Sequence, residues 1–378
     1  MMVKLDEVVV KISGNEDRFT TDLEYYLAGE HYESERIAIY KKGIIKDNLG
    51  VLGFKFHFPF KAGDTIFMSR NPHLKKAGMV TYDGICSDTS YILRTRDNNI
   101  LSERFLPLVL QNDRFWRWFE ENKSGSVNYL LNWKSLKEYE FDLPPIEEQL
   151  RIADIAWAVE ETRVAYERMI AATDELVKSQ FIEMFGDPLR NTLCWPTKKM
   201  SEVAPPSTYD GDVDIVDGKS WLLNLDAIES HSRRLCDKAM TPIGDIGPST
   251  FKFSTRNVLY SKLRPYLNKL YIPTEPGYAT TELVPLTPDS CFLDPVFLAS
   301  LIQGKEFLSF IETQVSGTKM PRVQMNVFWD FNVILPPLPL QQKFVSFVEQ
   351  SDKSKFELEQ ALAELNATYK RIITENLC

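Results

Sequence analysis

The chain has 378 residues, a formal net charge of −9, 44% hydrophobic residues and 26% charged residues. This length allows two or three domains with buried cores, and no stretch approaches the roughly 18 consecutive apolar residues of a membrane helix. The acidic balance argues against a protein that coats nucleic acid non-specifically, because such binding needs many Lys and Arg side chains against phosphates. It leaves room for DNA binding through a local basic strip.

The five cysteines and four histidines are scattered along the chain. None has the spacing of a zinc knuckle or a redox motif, so we expect no metal site and no cofactor. The first residues, "MMVKLDEVVV", do not have the pattern of a signal peptide. These features favour a reduced, cytoplasmic protein that does not associate with a membrane.

The first part of the chain alternates short β-type runs with Gly, Pro and Asn. The runs "DTIFMS" and "TSYILRT" are followed by a helical pattern around residues 103–122. In that helix, the helical spacing of Phe115, Trp116, Trp118 and Phe119 indicates a buried face rather than a platform for stacking bases. We therefore predict a compact α+β globule over residues 1–142.

Residues 143–187 follow as a long helical region. It begins with "LPPIEEQ", in which Pro144 and Pro145 keep the chain extended, while Glu147 and Glu148 fall in the first turn, where the helix dipole favours acids. Apolar and small residues then recur at spacings of three and four, and Gly186 ends the helix. The predicted stripe consists of Ile152, Ile155, Val159, Tyr166, Met169, Ile170, Thr173, Leu176, Val177, Phe181 and Met184.

The second half of the chain repeats the first at an offset of 192 residues. "FLPLVLQNDRFWRWFEENKSGS" from Phe105 matches "FLASLIQGKEFLSFIETQVSGT" from Phe297, and "LPPIEEQ" matches "LPPLPLQ". We align "GDTIFMSR", ending at Arg70, with "RNVLYSK", ending at Lys262; after a slip of one residue "LKK" meets "LNK". Several blocks in the same order indicate a tandem duplication with its seam near residue 190.

The repeat predicts a second globule over residues 188–334 and a second helical region over residues 335–378. Its stripe consists of Phe344, Phe347, Val348, Ser351, Lys355, Leu358, Leu362, Leu365, Tyr369, Ile372 and Ile373. A helix of about 40 residues is ~60 Å long, too long to bury its stripe on one small globule. We therefore expect the two helices to pair as an antiparallel coiled coil, with the globules related by a pseudo-twofold axis.

The paired "LPPIEEQLRIADIAWAVEE" and "LPPLPLQQKFVSFVEQ" segments, together with "FIEMFGDP", "YSKLRPYLNK" and "SGTKMPRVQMN", resemble the specificity subunit of Type I restriction-modification enzymes. The resemblance covers essentially the whole chain. It implies two target recognition domains that each read a few base pairs of double-stranded DNA, and a coiled coil that sets the length of the spacer between them. It also implies two methyltransferase subunits as partners, with a motor and nuclease subunit joining to make the restriction enzyme.

Basic and polar residues just beyond the β-type runs are candidates for DNA contact, because Arg reads guanine through two hydrogen bonds and Lys neutralises phosphate. A second strip follows the Ser-Gly pair in each half. The predicted contacts are Ser69, Arg70, Lys75, Lys76, Ser126, Asn128 and Tyr129 in the first globule and Lys262, Arg264, Tyr266, Lys269, Lys319 and Arg322 in the second.

The chain carries no motif for catalysis. A methyltransferase needs a glycine-rich cofactor loop and an Asn or Asp before Pro-Pro and an aromatic residue, a nuclease needs clustered acids around a metal, and a motor needs a nucleotide-binding loop. We therefore expect a non-catalytic subunit. The alternative is a protein-interaction scaffold with the same pseudo-dimeric architecture, and an enzyme in its own right ranks third.

Overall fold

The computed structural model describes residues 1–71, 74–122, 129–316 and 320–377. The chain forms two compact units. The first comprises Met1–Met169 and the residues from Leu358 onward, and the second comprises Ile170–Glu357. None of the helices in these described ranges is both long enough and apolar enough to cross a bilayer.

The first unit contains a mixed globule of strands and short helices. Its strands are β1 (Met2–Lys4), β2 (Val9–Ile12), β3 (Tyr25–Leu27), β4 (Ala38–Ile39), β5 (Gly43–Ile44), β6 (Phe56–Phe60), β7 (Thr65–Met68), β8 (Ala77–Val80), β9 (Gly84–Ser87), β10 (Ser90–Thr95) and β11 (Glu140–Asp142). Its helices are α1 (Leu5–Val8), α2 (Ile45–Asn48), α3 (Leu106–Gln111), α4 (Asp113–Asn122) and α5 (Trp133–Leu136), and the long helix α6 (Ile146–Phe185) begins here.

The second unit contains a globule of the same kind. Its strands are β12 (Thr197–Lys199), β13 (Lys219–Leu223), β14 (Met240–Pro242), β15 (Thr250–Phe253), β16 (Val258–Ser261), β17 (Leu270–Tyr271), β18 (Gly277–Thr280), β19 (Leu283–Leu286), β20 (Val315–Ser316), β21 (Arg322–Val323) and β22 (Asn332–Ile334). Its helices are α7 (Met200–Val203), α8 (Pro295–Gln303), α9 (Lys305–Glu312) and α10 (Met325–Asp330), and the long helix α11 (Leu338–Leu377) begins here.

The two globules share part of their sheet topology. In the first, strand β7 lies between β10 and β8, and a four-stranded sheet has the order β5-β3-β9-β6. In the second, β16 lies between β19 and β17, and a four-stranded sheet has the order β14-β13-β18-β15. The pairs β3/β9 and β13/β18 are both parallel. The mixed helix and sheet fold is therefore confirmed, and the duplication predicted from sequence is visible in the strand pairing that the two globules have in common.

Both long helices begin where their proline pairs predict. Helix α6 starts one residue after Pro145 and α11 starts one residue after Pro337. At the other end of α6, Gly186 has a φ of +73° and donates its N–H to the carbonyl of Ile182. This left-handed C-terminal residue stops the helix at low cost because glycine has no Cβ.

A buried glutamine in each helix fixes the preceding Leu-Pro-Pro segment to its globule. Gln149 Nε2 donates to the carbonyls of Ile100 (2.8 Å) and Pro144 (2.9 Å), and its Oε1 accepts from the N–H of Ser102 (3.0 Å). Gln341 makes the same three bonds with Phe292 (2.8 Å), Pro336 (2.8 Å) and Asp294 (3.0 Å). Both glutamines are fully buried. We call each set of three bonds a glutamine clamp.

Segments of the two long helices pack together within each unit, and they run antiparallel. In the first unit Arg151 hydrogen-bonds to Asn376 and Arg163 lies over the ring of Tyr369. In the second unit both carboxylate oxygens of Asp174 accept from Lys355 (2.6 and 2.7 Å), and the rings of Phe181 and Phe344 lie 5.5 Å apart. The coiled-coil layout and the four predicted domain boundaries stay predictions.

Three members of the predicted α6 stripe are exposed. Ile155, Met169 and Leu176 are 36%, 51% and 53% exposed. The buried positions of α6 include Ala153, Ala156 and Trp157 instead. The sequence prediction made the stripe too wide, because a seam between two helices is narrower than the face a helix presents to a globular core.

The predicted aromatic face of helix α4 is part of the core of the first unit. Phe115, Trp116 and Phe119 are buried, and Trp118 packs against them. The ring of Phe115 lies edge-on to Phe67 of β7 at 5.8 Å. This contact fixes α4 on the sheet, close to the end of β7 where the predicted DNA contacts begin.

Candidate nucleic-acid interface

The loops that leave strands β7 and β16 share several backbone features among the residues that the structure describes. Near its start, each loop has a residue in the left-handed region, Asn71 (φ +49°) or Arg264 (φ +50°). The carbonyl of this residue accepts a hydrogen bond from the N–H three positions further on, that of Leu74 or Leu267. We call residues 69–76 and 262–269 the recognition loops.

A second segment runs beside each recognition loop. In the first unit the N–H of Asn71 donates to the carbonyl of Tyr129 (3.1 Å), and a β-bridge joins Arg70 to Leu130. In the second unit the N–H of Arg264 donates to the carbonyl of Pro321 (2.7 Å), and a β-bridge joins Leu263 to Arg322. The structure thus places the described members of the second strips, Tyr129 and Arg322, beside the recognition loops.

The strand pairing corrects the alignment of the two halves of the sequence at the start of these loops, where Arg70 was matched with Lys262, by one residue. Phe67 pairs with Ala77 and with Tyr91, whereas Tyr260 pairs with Leu270 and with Val284. The structural offset over strands β7 to β10 is therefore 193 rather than 192, which makes Ser69 the counterpart of Lys262 and Asn71 the counterpart of Arg264. The alignment by residue type matched Ser69-Arg70 with Ser261-Lys262. This register is wrong by one residue, because a Ser followed by a basic residue occurs at neighbouring but not equivalent positions of the two strands.

Several predicted contacts have structural partners inside the globule. Ser69 is 2% exposed and its hydroxyl donates to the carbonyl of Thr89. Lys76 and Lys269, which are structural counterparts, each donate from Nζ to a backbone carbonyl, of Gly29 (2.6 Å) and Leu225 (2.7 Å). These hydrogen bonds hold the recognition loops in place, a role that the sequence analysis did not consider.

Two further candidates form ion pairs. Lys75 pairs with Glu35, and its hydrogen bond lowers the pKa of the Glu35 carboxyl. The exposed Arg322 reaches both carboxylate oxygens of Glu282 (2.7 and 3.3 Å). This hydrogen bond lowers the pKa of Glu282, and the nearby charge of Lys262 adds to the effect. Glu282 is therefore an acidic residue among the basic candidates of the second globule.

The remaining candidates present their side chains to solvent to different degrees. Arg70 and Arg264 are exposed, Tyr266 is 45% exposed, and Lys262 is half-buried, as is Tyr129. Within the described ranges neither Arg70 nor Arg264 pairs with a carboxylate. Ser126, Asn128 and Lys319 lie outside the described residues. All thirteen positions stay predictions as DNA contacts.

Sequence reasoning did not single out Asn71 or the two clamp glutamines. Gln149 and Gln341 occupy the same place in "LPPIEEQ" and "LPPLPLQ", so the repeat itself carried the signal for the clamps. The equivalence of Asn71 with Arg264 also had a signal in the sequence, because each precedes a proline at the offset of 193 that matches "LKK" with "LNK". Among the described residues, no cluster of three or more His, Cys, Asp or Glu side chains could hold a metal ion.

Comparisons with known proteins identify the family. The model of the Type I restriction modification DNA specificity domain matches residues 1–171 and 258–367, which is more than half of the chain. The Type I restriction enzyme EcoDI specificity subunit of Escherichia coli is 29% identical over 128 residues. That match covers 33% of this chain and only 28% of the length of the curated relative.

Two solved structures share the fold. One, described as showing complex assembly and conformational transition of the type I R-M system, has a TM-score of 0.55 and 17% identity, with 100% of this chain and 97% of that chain covered. The other, the crystal structure of the S subunit of a Type I restriction-modification system from M. genitalium, has a TM-score of 0.58 and 13% identity, with 100% and 96% covered. As its sequence predicted, the chain belongs to the family defined by the Type I restriction modification DNA specificity domain.

Proposed function

We propose that this chain reads a bipartite, asymmetric target in double-stranded DNA as the specificity subunit of a Type I restriction-modification complex. Residues 1–142 read one half of the target and residues 188–334 read the other. The helical regions 143–187 and 335–378 form an antiparallel coiled coil that sets the gap between the halves. Two methyltransferase subunits dock on the chain in the cytoplasm, and motor and nuclease subunits join them.

The observation that carries this proposal is that two equal loop scaffolds hold unequal side chains. The recognition loops share their left-handed residues and their backbone hydrogen bonds. They differ at the positions that face solvent, where Asn71 stands against Arg264 and Arg70 against Leu263. Base edges are distinguished by side chains, whereas a common backbone fixes how each loop approaches a groove. Two such loops suit two different half-sites.

The proposal is tested by sequencing methylated bases in DNA from cells that carry this chain and its methyltransferase partners. We expect methylation at one motif that consists of two short, different half-sites separated by a fixed number of unspecified base pairs. Methylation without such a motif, or at a single uninterrupted motif, would contradict the proposal. The same measurement gives both half-sites and the gap.

A scaffold that binds only proteins is the competing function. Reversing charge in the second recognition loop, with Lys262→Glu and Arg264→Glu together, distinguishes the two. If the loop contacts DNA, duplex binding by the assembled complex falls at least tenfold, because two favourable charges become repulsive. If the chain is a protein scaffold, the variant binds DNA as the unaltered complex does and only partner binding changes.

A further inference from the structure

The third residue of each recognition loop holds a left-handed backbone that suits one of the two side chains better than the other. Asn71 and Arg264 have φ values of +49° and +50°. Asn tolerates this conformation well, whereas a longer side chain such as Arg is disfavoured there. Arg264 therefore carries backbone strain that an Asn at the same position would reduce. Residues held in such conformations concentrate at functional sites.

The side chains at these two positions are also uncommitted. Both residues are exposed, and within the described part of the chain neither side chain hydrogen-bonds to, or pairs with, another residue. The second left-handed position of each loop differs in this respect. There Lys75 pairs with Glu35, and Asn268 donates to the carbonyl of Gln303 (2.9 Å). Each loop thus turns its second left-handed side chain to the protein and presents its first to solvent.

The chemistry of the two exposed side chains differs in a way that matches two bases. An Asn carboxamide both donates and accepts, which fits the N6 and N7 atoms of adenine in the major groove. An Arg guanidinium only donates, through two parallel N–H groups, which fits the O6 and N7 atoms of guanine. The shared backbone presents these two groups from equivalent places in the two globules.

We infer that Asn71 and Arg264 are the matched specificity-determining residues of the two half-sites. Asn71 reads an adenine in the first half-site, and Arg264 reads a guanine at the equivalent position of the second. This inference rests on the proposed function and deepens it by naming the bases. It assigns Asn71 a role that the aligned sequence did not suggest.

The test uses the full chain assembled with its methyltransferase subunits and a library of random duplexes. The variant Arg264→Asn keeps a residue that the loop backbone accepts, as Asn71 shows. We expect its selected sequences to lose the preference for guanine at one position of one half-site by about ten- to a hundredfold, with the other half-site unchanged. The reciprocal variant Asn71→Arg introduces guanine preference in the other half-site only.

Arg256→Asn is the matched control, because Arg256 is also exposed and lies before strand β16, whereas Arg264 lies after it. The control variant selects the unaltered motif. If the Arg264→Asn complex is inactive in methylation, competition binding with duplexes altered at one base pair each replaces selection. The variant must then have become insensitive to one guanine to which the unaltered complex responds.

The outcomes separate this inference from the proposed function. An unaltered complex that selects no bipartite motif overturns the proposed function and the inference with it. An unaltered complex that selects a bipartite motif, combined with an Arg264→Asn complex that selects the same bases, overturns the inference alone. A uniform loss of affinity across all sequences also overturns it, since that result means that Arg264 contacts phosphate.

Discussion

Two ion pairs in this chain differ widely in exposure. Arg322 is 48% exposed in its pair with Glu282, and such a pair contributes only about 0–1 kcal/mol to stability. Arg36 is 5% exposed in its pair with Glu160, which is fully buried. Removing one partner of a buried pair is far more damaging, because the other charge is left without compensation. The two pairs therefore call for different experiments, one on binding and one on stability.

We predict that Glu282→Gln strengthens DNA binding with little effect on folding. The hydrogen bond from Arg322 lowers the pKa of Glu282, so the carboxylate is charged at neutral pH and neutralises Arg322. Under the proposed function, Arg322 without that carboxylate becomes available to contact a phosphate. Titration of duplex DNA at several salt concentrations should show an affinity about two- to tenfold higher at low salt and a steeper dependence on salt.

The control for this experiment is Glu275→Gln, which removes an equal charge from another ion pair of the second unit, with Lys238. The control variant should bind DNA nearly as the unaltered chain does. Equal gains in the two variants would show that net charge, and not the release of Arg322, is responsible. Weaker binding by Glu282→Gln would show that the carboxylate positions Arg322 productively.

We predict that Arg36→Met destabilises the first unit by about 3–5 kcal/mol. Arg36 Nε donates to Glu160 (2.7 Å) and Nη1 donates to Glu167 (2.8 Å), both on helix α6. Loss of the guanidinium leaves the buried Glu160 with only the longer contact to Arg163 (3.5 Å). Chemical unfolding followed by tryptophan fluorescence measures the change in the free energy of unfolding. The double variant Arg36→Met with Glu160→Gln should lose less stability than the sum of the losses in the two single variants.

At the scale of elements, the glutamine clamps join each globule to its helix. We predict that Gln149→Met or Gln341→Met lowers the free energy of unfolding by roughly 2–4 kcal/mol. A methionine fills a similar volume but leaves two carbonyls and one N–H without their partner, and each such group costs about 1–3 kcal/mol where it is shielded from water. Thermal unfolding followed by circular dichroism gives the measurement.

Gln342→Met is the control, since Gln342 is exposed and lies beside Gln341 in the same helix. It should unfold at nearly the same temperature as the unaltered chain. Because the two clamps are structural counterparts, their variants should also have similar effects. A large loss of stability in the variant of one clamp, with no loss in the variant of the other, would mean that the clamps do not have equivalent roles.

Helix ends were predictable from the sequence because their signals are local. Pro144, Pro145 and Gly186 act on the residues beside them, and the structure places the ends of α6 accordingly. The order and register of the strands were not predictable in the same way, because pairing joins residues far apart in the chain. The parallel pairing of β3 with β9 has no local signal at all.

The candidate surface was predictable in position but not in detail. The repeat located both recognition loops and the segments beside them, since a duplicated fold places the same blocks at the same sites. It did not show that Ser69 is buried, or that Lys76 and Lys269 serve the loop backbone. Those outcomes depend on which carbonyl lies within reach, and residue type alone does not determine that.

At the scale of the whole molecule, the proposed function implies that the duplication lets one chain hold two readers that evolve separately. Equal backbone scaffolds keep both recognition loops in working geometry, while their exposed side chains change independently. Each long helix contributes to both units, because α6 runs past Met169 and α11 runs past Glu357. Under the proposed function, helix length and loop side chains then govern separate properties of the target, namely its gap and its bases.

We predict that matched deletions in the two long helices shorten the gap in the target. Removing seven residues from α6 between Arg163 and Asp174, and seven from α11 between Lys355 and Tyr369, removes about 10 Å of each helix. That length corresponds to about three base pairs of duplex, and seven residues preserve the apolar seam because it repeats every seven. Sequencing of methylated DNA should show both half-sites unchanged and closer together. The control removes seven residues from α6 alone, which mismatches the paired segments and should abolish methylation. An unchanged gap after the matched deletion would contradict the role of the helices as a spacer.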